Sequence, residues 1–184
     1  MRILLNFFLC LNCCILSAQK KDAFSFNYAD QPKLNWDSFK GPVPVNTPYA
    51  ASVNTGVSLQ WSYSTGDGKI DLDYDVEAYA QPNFSWVVEK EKDEELLAHE
   101  QLHFDITEIH ARMLRKRIAE YEFGRNIRKP MQRMLGEIKF EREKMQNEYD
   151  QQTAHSKNTE QQKIWEKKVA SLLEKYQDYA IDLN

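Results

Sequence analysis

The segment Leu96-Leu97-Ala98-His99-Glu100-Gln101-Leu102-His103-Phe104-Asp105-Ile106 carries two histidines four positions apart inside an apolar helical stripe. On a helix, His99 and His103 stand one turn apart on the same side, both able to reach one metal ion. Glu100 projects about 100° round from His99, beside such an ion, where a general base for a zinc-activated water has to stand. Leu96, Leu102, Ile106, Ile109 and Met113 continue the stripe, so both imidazoles are expected to be partly buried against a sheet. The blander alternative is a pair of core histidines, each satisfied by a hydrogen bond. A string of this HExxH type arises by chance in on the order of 1% of chains this long. Its place on a long amphipathic helix that follows a strand favours zinc.

A catalytic zinc site wants a third protein ligand and an open position. His110 follows His103 by seven residues and lies about 10 Å further along an unbroken helix, so it reads as a core residue. His155 is the preferred third ligand, because the polar connection Thr153-Ala154-His155-Ser156-Lys157-Asn158 can turn a side chain back toward the first helix. Glu148 and Asp150 remain as carboxylate alternatives. Tyr149 is a candidate to present its hydroxyl to a developing oxyanion, against the plainer role of a core tyrosine. Asp105 falls off the metal stripe; it is read as holding the helix through Arg112, as orienting an imidazole, or as pairing on the surface.

Working outward, residues 24 to 90 carry strand and turn signals, with prolines at 32, 42, 44, 48 and 82. Val57, Leu59, Trp61 and Tyr63 alternate with polar residues, Thr65-Gly66-Asp67-Gly68 turns the chain, and Ile70, Leu72, Tyr74 and Val76 alternate on the return. That is a hairpin with one apolar face, the other lined by Asp71, Asp73, Asp75 and Glu77. A further strand is expected at 84 to 88, where it would align an extended substrate at the sheet edge. From residue 93 the pattern is helical, in segments near 93 to 123, 130 to 153 and 159 to 180. Gly124 would stop the first, Pro130 opens the second, and Asn158 with Gln161 caps the third. The expected architecture is α+β: one domain from residue 19 to 184, a sheet part followed by a helical part from about 93 to 181.

The start of the chain has a separate character. Arg2 precedes an apolar run from Ile3 to Leu16 that ends in Ser17-Ala18-Gln19-Lys20, the pattern of a signal peptide cleaved after Ala18. The run is shorter than the about 20 residues that a membrane span needs, so no transmembrane anchor is expected after processing. Cys10, Cys13 and Cys14, the only cysteines, fall inside it, which leaves no disulfide in the processed chain. Asn12 and Cys13 are poor lipobox residues, which weighs against a lipid anchor on Cys14. The net charge of −4, with Lys and Arg interleaved with Glu as in Lys139-Phe140-Glu141-Arg142-Glu143-Lys144, suggests no nucleic-acid face. With 42% hydrophobic residues, the chain can build a core.

Three stretches together resemble a known family: Leu34-Asn35-Trp36-Asp37-Ser38-Phe39, Leu96 to Ile106, and Tyr149-Asp150-Gln151-Gln152-Thr153-Ala154-His155. The family is catalogued as bacterial domain of unknown function 922 and described as predicted secreted zinc-dependent proteases. The resemblance implies a zincin-like fold, zinc held by His99, His103 and His155, Glu100 as base, and a peptide or protein substrate. It also implies an exported protein of the periplasm or the medium. Asp105 departs from the wider metallopeptidase pattern, which has an apolar residue two places after the second histidine. The competing expectations are a non-catalytic, zinc-stabilised binding module in which a fourth protein ligand such as Asp150 closes the shell, and a metal-free interaction protein that binds a partner in the bacterial envelope.

Overall fold

In a computed structural model, residues 25–66 and 69–181 are described. The expected signal peptide, the three cysteines and the Asp67-Gly68 turn lie outside them. The hairpin forms as the alternation requires: β3 (Thr55–Gly66) and β4 (Lys69–Ala80) pair antiparallel, with Val57 opposite Ala78, Leu59 opposite Val76 and Trp61 opposite Tyr74. Side chains alternate between faces along a strand, so these apolar residues share one face while Asp71, Asp73 and Asp75 on the other are exposed. β1 (Phe26–Asn27) adds to the free edge of β4, giving the order β1-β4-β3. A second sheet joins β2 (Ala51–Ser52) to β5 (Trp86–Val87). The strand expected at 84 to 88 is thus only two residues long, because Pro82–Phe84 form a 3₁₀ turn.

Three helices follow. Asp93 caps α1 (Glu94–Ala119), its carboxylate accepting the Leu96 N–H at 2.7 Å. α1 ends before Gly124, at Ala119; the chain leaves the helix so that Phe123 packs on the hairpin core with Tyr121 edge-on to it. α2 (Arg128–Thr153) runs antiparallel to α1, matching His99 with Asp150, His103 with Gln146 and Arg117 with Glu141. α3 (Thr159–Lys175) starts where the Asn158 side chain accepts the Gln161 N–H, as the sequence indicates, and runs parallel to α1.

α1 is enclosed on three sides. Ala111, Leu114 and Ile118 pack with Val57, Val76 and the first half of α2; Leu96 and Phe104 pack with Leu34, Phe39, Ala51 and Val87; Leu102, Ile106 and Ile109 pack with Tyr149, Trp165 and Val169. Polar residues of α1 are therefore buried as well, and each has partners. Glu108 accepts from Arg112 Nε at 2.9 Å and Arg115 Nη1 at 3.1 Å. The two guanidinium groups continue to the carbonyls of Leu173, Val76 and Tyr179, tying α1 to α3, β4 and the chain end. Removing one member of a buried ionic network leaves charge uncompensated, at a cost of about 3–5 kcal/mol. Glu108→Ala is expected to lose stability of that order, read from the urea midpoint. A loss near zero would show the cluster to be dispensable.

No helix among the described residues is long and apolar enough to cross a membrane.

Candidate metal centre

The first turns of α1 and the last turns of α2 meet at one point. His99 Nε2 and His103 Nε2 are 3.3 Å apart, and Asp150 Oδ1 lies 3.2 Å from the first and 3.0 Å from the second. The opposite ring nitrogens face glutamine side chains: His103 Nδ1 donates to Gln146 Oε1, and His99 Nδ1 stands 3.4 Å from Gln162 Oε1. Independent bonds fix both amides. Gln146 Nε2 donates to the His103 carbonyl at 2.8 Å, and Gln162 Oε1 accepts the Tyr149 hydroxyl at 2.6 Å. With Nδ1 carrying the proton in each ring, the two Nε2 atoms and the carboxylate turn three lone pairs toward one another.

Such a cluster needs a cation, a proton or a metal, to hold it together. Donors placed about 2.0–2.1 Å from a tetrahedral zinc stand about 3.3–3.4 Å apart, close to the spacings here. The donor set of two imidazoles and one carboxylate, each imidazole backed by an oxygen acceptor, fits a divalent metal, and among the described residues His99, His103 and Asp150 form a group able to hold one.

Asp150, an alternative on sequence grounds, thus stands where His155 is expected. His155 is at the site, its Nδ1 3.5 Å from Asp150 Oδ1, but its ring packs on Tyr49 with 4.6 Å between centroids. The cause is local. α2 ends in three successive left-handed residues, Ala154, His155 and Ser156 (φ 49°, 52° and 73°), and this turn directs the imidazole to the rim. Strained backbone of this kind concentrates at functional sites.

Tyr149 does not fill the oxyanion role expected of it. One residue from Asp150 on a helix, it faces α3 instead of the cleft: the ring is fully buried, stacked on His99 at 4.6 Å, and its hydroxyl is committed to Gln162. It is a positioning residue for the imidazole. Asp105 binds neither Arg112 nor an imidazole; it accepts from the Tyr28 hydroxyl at 2.9 Å and Gln101 Nε2 at 2.8 Å. His110 is a core residue, donating to the Ile106 carbonyl, and burial lowers its pKa.

Glu100 is buried beside the triad. Its Oε2 accepts the Val53 N–H at 2.7 Å, whereas Oε1 has no hydrogen bond to the described residues. Burial raises its pKa above the usual glutamate value, against the pull of both imidazoles and the Val53 N–H. Asp150 is the reverse case: burial opposes its charge, but in the metal-free state, with protons on the facing Nε2 atoms, hydrogen bonds from His103 and His99 outweigh that and hold it well below the carboxylate range. For His103, burial disfavours the charged ring, yet the bond to Asp150 and the charge of Glu100 raise its pKa.

These groups line a cleft of about 550 Å³. α1 forms its floor. One wall is the α2 face carrying Arg142, Gln146 and Asp150, and the other is the irregular stretch from Tyr49 to Thr55. β5 does not reach the cleft, so the 84 to 88 segment cannot be the edge that aligns a ligand there; β2 stands between them. Gly41 allows this arrangement, since a Cβ there would meet the Asn83 carbonyl oxygen at 2.8 Å. Sequence reasoning missed Arg142 and Gln146, although they precede Asp150 by eight and four residues, the helical repeat of one face.

Fold and site together define an α+β protein with a candidate metal centre on its central helix. The family described as bacterial protein of unknown function (DUF922) matches residues 36–156, and the chain belongs to it. No curated protein and no solved structure matches the chain.

Proposed function

We propose that this protein is an exported zinc-dependent hydrolase that cleaves peptide bonds, with His99, His103 and Asp150 as metal ligands and Glu100 as general base. The observation that carries this reading is the meeting of three lone-pair donors at 3.0–3.3 Å where the floor and one wall of an open cleft join, beside a buried carboxylate whose Oε1 has no hydrogen bond to the described residues. The nitrogen and oxygen donors suit zinc among the divalent metals. Bound there, zinc would polarise a substrate carbonyl and lower the pKa of water to about 7.

The chain's own residues do the rest. Val53 fixes one oxygen of Glu100, leaving Oε1 to take a proton from the attacking water and pass it to the leaving nitrogen. A base pKa raised by burial is suited to that exchange near neutral pH. The stretch from Tyr49 to Thr55, with the short strand β2 within it, offers a wall along which a peptide can lie. We further read the motif helix beneath this wall as a zincin-like arrangement. The apolar start of the chain supports export.

The test is peptide cleavage by the purified mature protein, followed by mass spectrometry before and after chelation. Cleavage that stops with chelator and returns with one equivalent of zinc is expected. Cleavage indifferent to chelator would refute the metal-dependent mechanism.

A further inference from the structure

Arg142 stands at the end of the cleft away from His155. It precedes Asp150 by eight residues on α2, so it shares the same face two turns away, about 12 Å along the axis, with Gln146 on the turn between. Its Nη1 donates to the Thr55 carbonyl at 3.2 Å and lies 3.5 Å from Thr55 Oγ1. Its Nε is buried with no hydrogen-bond partner. Among the described residues, Nη2 makes no hydrogen bond and no carboxylate pairs with the guanidinium: neighbouring Glu141 is committed to Arg117 at 2.7 Å. Of the residues lining the cleft, Arg142 is the only lysine or arginine, while Glu100, Glu143 and Asp150 are acidic.

A buried charged donor left without an acceptor is costly, and a guanidinium offers a planar fork matched to carboxylate. We propose that Arg142 is a specificity-determining residue that receives a carboxylate of the bound peptide, about three residues from the scissile bond at the about 3.3–3.4 Å per residue of an extended chain. This rests on the peptidase reading. The carboxylate is either an Asp or Glu side chain or the terminal group of the peptide.

Peptide hydroxamates test it, because they bind through the metal whether or not the protein turns over. Dissociation constants for the zinc-loaded chain are measured by calorimetry with two probes differing only by Glu or Gln at the third residue, the hydroxamate at either end. A further pair, with the hydroxamate at the amino end, carries a free or an amidated carboxyl terminus at that residue. The carboxylate-bearing probe is expected to bind about 10- to 100-fold tighter, the range of a charge-assisted hydrogen bond. The pair that discriminates identifies the source of the carboxylate. Arg142→Gln should abolish the preference and Arg142→Lys should keep part of it.

Equal affinities in the wild type, a comparison that needs no variant, would overturn the proposal, as would an undiminished preference in Arg142→Gln. Preference without cleavage of any peptide would count against the peptidase reading alone; cleavage without preference would count against Arg142 alone. Failure of every hydroxamate to bind would overturn both.

Discussion

Glu100→Gln is expected to lower kcat for peptide cleavage about a thousandfold, within the 10²–10⁴ range for loss of a general base, while leaving about one zinc per chain. Gln has the same shape and its amide oxygen can still accept the Val53 N–H, so the cleft should keep its form; what disappears is the group that takes the proton. The pH profile gives an independent reading. Burial raises the Glu100 pKa in the metal-free site and a bound cation opposes that rise; the base becomes protonated, and activity falls, as pH drops through the pKa that results. That acid limb should vanish in the variant's residual activity. Turnover within tenfold of wild type, zinc being equal, would sink the assignment of Glu100.

The second large effect concerns the metal itself. His99→Ala, His103→Ala and Asp150→Ala should each weaken zinc binding by more than about 100-fold, since losing a partner that only orients a ligand already costs about 10–100-fold. His155→Ala should keep the metal, because its ring packs on Tyr49 at the rim. Elemental analysis after equilibrium dialysis against a competing chelator separates these cases. Loss of zinc in His155→Ala would instead argue for a fourth protein ligand and a closed shell. That outcome would favour the zinc-stabilised binding module over the hydrolase.

The part of the site built on one helix was legible in the sequence. His99, Glu100 and His103 are related by the helical repeat alone, and the hairpin by strict alternation, so both follow from local periodicity. The third donor depends on how two helices meet. A loop histidine has freedom to turn back, and that made His155 attractive, but the left-handed run at Ala154–Ser156 spends that freedom in another direction. Asp150 is committed by the antiparallel packing that also pairs Gln146 with His103. Tyr149 illustrates the same point, since one residue of helical phase separates a cleft group from a buried one. Glu108, Arg112 and Arg115 resemble a solvated charged face in sequence. Only enclosure of α1 on three sides makes them a buried network. At 84 to 88, β propensity gave way to the Pro82 turn.

The two walls of the cleft have unequal freedom to change. α1 and α2 hold the donors with side chains that also fill the core, so most substitutions there disturb folding and chemistry together. The facing wall from Tyr49 to Thr55 lies mostly outside the core, with only Ala51 buried. Apart from Ala51, its side chains can be exchanged at little expense to the interior. Diversity among relatives in what they act upon would accordingly accumulate on that side, with the donor side held constant, and grafting one member's 49–55 stretch onto another is the natural route to moving a preference between them.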